Sequence, residues 1–253
     1  MKLHYRVIGE GTPLFILHGL FGYSDNWQTH ARKLAEYYQV ILVDQRNHGH
    51  SDWSDSFSYD LLASDLHELF VDLGIQKAHL LGHSMGGKTV LRFAQLFPNM
   101  VDKLIVVDMG LKAYPMHHQQ ILAGLDEVSA SSMTSRSEAE NILEQYVPEF
   151  GTRQFLLKNL YWIEKGKLAW RMNIPVLERE MPEILKALPE QQILCQTLFI
   201  RGELSGYIHD DDFSAIEDLV PDSTFVTIAG AGHWVHAEKP EEFILAVLEF
   251  LLR

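Results

Sequence analysis

One cysteine, Cys195, occurs among 253 residues, so no disulfide can close within the chain and packing must hold the fold. No Cys-centred motif surrounds it. At the edge of the apolar run Ile193–Ile200 it reads as a small core residue rather than a nucleophile. No stretch of about 18 consecutive apolar residues is present, which excludes a bilayer-spanning helix of the usual kind. The first residues, Met1-Lys2-Leu3-His4-Tyr5-Arg6, lack the apolar core of a signal peptide, and the expectation is a soluble cytoplasmic protein. Positive charge is scarce: 21 Lys and Arg stand against 34 Asp and Glu, for a formal charge of −13. Such a surface repels a phosphate backbone, and no basic cluster offsets it, so nucleic acid is not an expected partner. Internal repeats and low-complexity tracts are absent. The 13 histidines include no H-E-x-x-H or comparable ligand spacing, so neither a metal nor another cofactor is expected.

What is present is ordinary globular material, 47% hydrophobic and 22% charged, long enough for one large α/β domain or two small ones. Short apolar runs alternate with helical patterns, the rhythm of a parallel α/β sheet. Leu14–Leu17, Val40–Val43, Ala78–Leu81 and Leu104–Val107 read as buried strands. Between them, Asp25–Tyr38, Tyr59–Leu73 and Met85–Phe97 read as helices. The spacing of Leu62, Leu66, Leu69, Phe70 and Leu73 defines one apolar helical face. From about Leu111 to Glu190 no strong strand signal appears, only helical stretches interrupted by prolines. Strands resume at Thr197–Ile200 and Thr224–Ile228, and Glu241–Leu251 closes the chain as a helix. The predicted architecture is a core of residues 1–110 and 191–253, with a helical cap, 111–190, inserted after the Asp108 strand.

The segment Gly82-His83-Ser84-Met85-Gly86-Gly87 matches G-x-S-x-G. The pattern alone is weak, but here a strand runs directly into it and a helix directly out, as a nucleophile elbow requires. Its glycines permit the sharp turn. Ser84 then sits at a helix N-terminus, where the Met85 N–H is free to bind an oxyanion. The plain alternative is that Ser84 only caps that helix.

Three further segments fall in order around this elbow: His18-Gly19-Leu20-Phe21-Gly22, Asp44-Gln45-Arg46-Asn47-His48-Gly49-His50-Ser51, and Gly230-Ala231-Gly232-His233-Trp234. Together they resemble the α/β-hydrolase superfamily over the whole chain except the insertion. Asn47-His48 and Gly202–Tyr207 are similar in particular to esterases of the YbfF type and their abhydrolase-domain relatives. The resemblance implies that Ser84 is the nucleophile, that His233 is its base, and that the Leu20 N–H is the second oxyanion donor. His18 is expected to be structural.

A Ser–His pair needs an acid to orient the imidazole. Many family members place an Asp in a G-x-x-D pattern after the strand that follows the insertion. Here that stretch is Gly202-Glu203-Leu204-Ser205. Asp108, at the end of the strand after the elbow, is the alternative position and keeps the order Ser–Asp–His. The run Asp210–Asp212 is its rival. Ser205 is expected either to hydrogen-bond the acid or histidine, as the resemblance suggests, or to be a plain loop hydroxyl.

No cofactor is needed for the implied chemistry, an acyl transfer through Ser84 on a small-molecule ester or thioester. The cap aromatics Tyr146, Phe150, Phe155, Tyr161, Trp162 and Trp170 either line an acyl pocket or hold the cap together. Tyr207, Trp234 and Trp162 are the candidate substrate contacts. His117-His118 reads as a solvated pair. The cap carries 9 Lys and Arg against 11 acids, and the rest of the chain 12 against 23. Within the cap, Gly151–Met172 holds Arg153, Lys158, Lys165, Lys167 and Arg171 against one acid, Glu164, a locally basic stretch that would favour an anionic substrate such as an acyl-coenzyme A, although solvated helix faces are the commoner explanation. The same residues also suit carbon–carbon bond hydrolysis, a menaquinone-pathway-type lyase, or a non-catalytic ligand-binding protein of this fold. A dehalogenase would need Asp where Ser84 stands.

Overall fold

A computed structural model describes residues 1–131 and 134–253. The chain opens with β1 (Tyr5–Ile8), whose side chains alternate between exposed and half-buried. A half-polar edge strand of this kind has no continuous apolar signal, and it was not among the sequence expectations. Strand β2 (Pro13–Leu17) leads into a 3-10 turn, Ser24–Trp27, and helix α1 (Gln28–Leu34), a shorter helix than the spacing predicts. Then come β3 (Gln39–Val43), α2 (Tyr59–Asp72), β4 (Ala78–His83), α3 (Met85–Leu96) and β5 (Val101–Val107). Ser58 starts α2 by accepting the Leu61 N–H at 3.2 Å. The buried stripe of α2 includes Leu62, Leu66, Leu69 and Phe70, and Phe70 stacks on Phe15 of β2 at 4.3 Å.

The insertion contains α4 (Gln119–Ala130), α5 (Arg136–Glu144), α6 (Phe150–Leu157), β6 (Leu160–Glu164), β7 (Lys167–Trp170), α7 (Ile174–Arg179) and α8 (Met181–Leu185). It is therefore not all-helical, because β6 and β7 form an antiparallel hairpin. Tyr161, Trp162 and Ile163 favour an extended backbone, and Gly166 turns the chain at φ 80°. Leu160 and Trp170 pair at the base of the hairpin and are buried there.

After the insertion, β8 (Gln196–Gly202), α9 (Phe213–Leu219), β9 (Ser223–Ile228), α10 (Val235–Glu238) and α11 (Pro240–Leu251) complete the chain. Among the described residues the main sheet has the order β1-β3-β2-β4-β5-β8-β9. Only β1 runs antiparallel to its neighbour. Both faces of β4 are buried, which explains its apolar run rather than an alternating one.

The insertion packs on the sheet domain as part of its core. One apolar cluster joins Leu80 and Val106 of the sheet to Leu122, Leu143, Leu156 and Leu177 of the insertion. The two ends of the insertion are tied together by Leu188 N–H to Leu111 O and Tyr114 N–H to Leu185 O, both at 2.8 Å. Helix α3 reaches the same place. Gln95 donates to Pro189 O and Gln191 O, and fully buried Lys88 donates to Lys186 O at 2.5 Å. Burial pushes the Lys88 ammonium down to about 7, because a charge without a counter-ion is costly in an apolar site.

Candidate active site

Parallel sheets place ligands beyond the C-terminal ends of their strands, where the strand order reverses. Sequence-predicted residues gather there from five loops: Leu20 after β2, Ser84 after β4, Asp108 after β5, Ser205 and Tyr207 after β8, and His233 after β9. Two of these hold the backbone at a positive φ that ordinary residues avoid, Ser84 at φ 53° and Asp108 at φ 50°. Strain of this kind persists only where surrounding structure enforces it. For Ser84 the enforcing residues are glycines. A Cβ on Gly82 would lie 2.1 Å from Gly86 O, and one on Gly86 2.4 Å from Leu17 O. The elbow also hangs from the next strand, since Ser84 N–H donates to Val107 O at 3.0 Å.

Ser84 Oγ lies 3.0 Å from His233 Nε2, and His233 Nδ1 lies 2.7 Å from Asp108 Oδ2. Asp108 has no solvent exposure. Its Oδ1 accepts the Gly202 N–H at 3.1 Å, and Oδ2 also accepts the Ser205 hydroxyl. Because Asp108 accepts at Nδ1, the neutral imidazole presents a bare Nε2 to the serine. The rival carboxylates are engaged elsewhere, Asp210 with Arg201 and Asp212 with Lys112. His83 lies buried beneath His233, and its Nε2–H donates to the His233 carbonyl at 2.9 Å. Burial and the neighbouring His233 hold the His83 imidazole well below the usual histidine range.

The loop carrying Leu20 is braced by two buried histidines. His18 Nε2 accepts the Gln45 N–H at 2.9 Å, so its Nδ1–H donates to Gly19 O at 2.8 Å. His48 Nε2 accepts the Phe21 N–H at 3.2 Å and its Nδ1–H donates to Arg46 O at 2.9 Å. Both rings must be neutral to accept these bonds. Burial drives the His48 pKa to about 3 and lowers that of His18. The Asp44–Ser51 segment is thus scaffolding, with buried Asp44 accepting the Ser24 and His50 N–H groups and Arg46 gripping Asp65 through two nitrogens. β2 and β4 are paired Leu17↔Gly82, so their loops leave the sheet side by side. Among the described residues, no acceptor engages the Leu20 or Met85 N–H.

A cavity of about 330 Å³ opens over Ser84 and His233, with Leu20, Phe21, Ile121, Phe155, Tyr207 and Trp234 among its walls. Tyr207 stacks on the His233 ring at 4.0 Å and 16°. Trp162 is not in this wall. It is half exposed on the hairpin, because β6 turns outward after Leu160. Of the other cap aromatics, Phe155 lines the cavity, Trp170 is buried in the core, Tyr161 lies under the Arg171 guanidinium at 4.6 Å and Phe150 is exposed. Lys158 lines the cavity, whereas Lys165 in the hairpin turn and Lys167 at the start of β7 do not.

Of the His117-His118 pair, His117 is exposed as expected, and His118 departs from the expectation. His118 lines the cavity, with Phe21 edge-on to its ring. Burial, with His117 and His233 nearby, lowers its pKa to about 4. His117 Nε2 meets the Tyr207 hydroxyl at 2.6 Å. The chain leaving β5 folds back over the site, which the local sequence does not signal. Ile121 has no signal in the sequence, since a helical pattern does not say which apolar residue looks into a cavity, whereas Phe155 is the one cap aromatic of the six that lines it.

A family profile described as the alpha/beta hydrolase fold matches residues 12–128. The chain is 37% identical to Esterase YbfF of Escherichia coli, covering 96% of this chain and 94% of that one. It is 39% identical to the sn-1-specific diacylglycerol lipase ABHD11 of Danio rerio, covering 96% and 79%. A solved structure titled "Marine microorganism esterase" superposes with a TM-score of 0.96 at 41% identity, covering 98% and 99%. With most of its length shared at this identity with such relatives, and with the same sheet beneath the site, the chain belongs to the α/β-hydrolase family.

Proposed function

We propose that the protein is a serine hydrolase of small-molecule acyl esters, with Ser84 as nucleophile, His233 as general base and acid, and Asp108 as the orienting carboxylate. The observation that carries the reading is the unbroken hydrogen-bonded line Ser84–His233–Asp108, opening into a largely apolar cavity beside two unengaged backbone N–H groups. His233 Nε2 takes the Ser84 proton as Oγ attacks the acyl carbon. The N–H groups of Leu20 and Met85 receive the negative charge that develops on the carbonyl oxygen. His233 then returns the proton to the leaving oxygen, and water repeats the sequence on the acyl-enzyme. Ser205 holds Asp108 in place, Tyr207 and Trp234 border the substrate, and residues 111–190 act as the cap that shapes its binding site. The names of the relatives, esterase and diacylglycerol lipase, agree with an acyl ester substrate.

The experiment is labelling with a fluorophosphonate, followed by peptide mapping. A single adduct on Ser84, abolished in His233→Ala, is the expected result. An unlabelled wild type that is folded and turns over no ester would move the protein to the ligand-binding reading. Thioesters fall within the same chemistry. For an acyl-coenzyme A the cations within reach are Lys158 at the cavity and Lys165 and Lys167 on the hairpin. Reversing the latter two without altering the salt dependence of acyl-coenzyme A turnover would remove that variant.

A further inference from the structure

A second cavity, of about 160 Å³, lies between the two ends of the insertion and α9. Leu111, Tyr114, Leu188, Ile208, Ile216 and Leu219 are among its walls, and the Lys112–Asp212 ion pair sits at its edge. Tyr207 lines this cavity and also the one over Ser84. It is the partition between them.

The partition is a single side chain on a loop whose backbone is fixed. Tyr207 follows Gly206, around which there is open space. Its hydroxyl is tied to His117, an exposed side chain. The ring also stacks on His233 and leans on the Tyr114 ring at 5.1 Å, and the Tyr114 hydroxyl donates to the Tyr207 carbonyl at 3.1 Å. A rotation of this side chain, releasing His117 while Tyr114 and Ser205 keep the backbone, would join the two cavities without disturbing the strand ends.

The position of the partition also selects which part of a substrate meets it. The unengaged N–H groups lie after β2 and β4, while Tyr207 lies after β8, on the other side of β5 in the sheet order. The leaving oxygen must take its proton from His233 Nε2, so the group attached to that oxygen lies beside the imidazole and hence beside Tyr207. We propose that the second cavity is a subsite for an apolar chain on the leaving-group side of the ester, entered past Tyr207. Apolar cavities near 150 Å³ accommodate benzene, so this one takes about six carbons. The favoured substrates are then esters whose alcohol portion carries an alkyl or acyl chain. This rests on the ester-hydrolase reading above and names its substrate class.

The test compares acetate esters of alcohols from ethanol to octanol with ethyl esters of acids from acetate to octanoate. In the wild type, kcat/KM should rise along the alcohol series to about six carbons. A flat alcohol series overturns the proposal. Ala215→Phe and Ala187→Phe, both at exposed positions lining the second cavity, fill it without touching the reacting groups. Each should lower the octyl-to-ethyl acetate ratio about tenfold, the effect of losing roughly two buried methylenes. Ethyl acetate and ethyl octanoate should stay within twofold. An unchanged ratio, or a loss that falls on the acyl series, overturns it. If no ester of either series is hydrolysed, the ester reading itself fails, which is a separate outcome from turnover indifferent to the alcohol.

Discussion

Replacing Asp108 with Asn tests the orientation of His233 with almost no change of shape. The Asn oxygen can keep the Gly202 N–H, which Asp108 Oδ1 accepts at 3.1 Å. Its amide then occupies the place of Oδ2, which now faces His233 Nδ1 at 2.7 Å and the Ser205 hydroxyl. An amide N–H there donates to Nδ1 and drives the imidazole proton onto Nε2. That nitrogen, 3.0 Å from Ser84 Oγ, can no longer accept the serine proton. In Ser-His-Asp enzymes the equivalent change costs about 10⁴ in kcat, or ~5 kcal/mol of barrier. The same order is expected here, because Asp108 is fully buried and, among the described residues, no other carboxylate is bonded to His233. The assay is steady-state hydrolysis of p-nitrophenyl butyrate, with thermal melts to confirm folding. A folded Asp108→Asn variant within threefold of wild type, especially beside an inactive Asp210→Asn, would refute the assignment.

Ser205→Ala removes one charge-assisted hydrogen bond to Asp108, and a loss of about tenfold in kcat with little change in KM is expected, from ~1.5 kcal/mol for such a bond. Equal activity over the whole pH profile would make Ser205 a plain loop hydroxyl. Acid should unfold the protein early. His48, with its pKa near 3, and His18, His83 and His236, all lowered by burial, bind protons more readily unfolded, where histidine titrates near 6.5. Their contribution is complete above pH 6.5 and is lost as the pH falls toward 3, each adding at most ~1.4 kcal/mol per pH unit. Urea melts at pH 7, 5.5 and 4.5 should show this decline, and a flat profile would contradict it.

Much of the sheet was legible because strands buried on both faces carry unbroken apolar runs, as Val40–Val43 and Leu104–Val107 do. Strand β1 was not, since Tyr5-Arg6-Val7-Ile8 lies at the edge with half its side chains in solvent. The hairpin was hidden by its brevity, as was its outward turn, which carries Trp162 away from the cavity. The candidate site was legible where chemistry forces a local pattern. Gly82 and Gly86 must be glycine for Ser84 to take its backbone angle, so the elbow is written in five consecutive residues. Asp108 needed an argument from absence, since Ser205 stands where the G-x-x-D pattern would place the acid. His118 and Ile121 had no local pattern to betray them, because the return of the chain over the site is set by packing between distant segments.

The most direct test of the central claim is hydrolysis of p-nitrophenyl esters from two to sixteen acyl carbons by wild type and Ser84→Ala. The account predicts turnover by the wild type, an optimum that reports the size of the cavity over Ser84, and its loss by at least a thousandfold in the variant. Turnover that survives in a folded Ser84→Ala protein would contradict it.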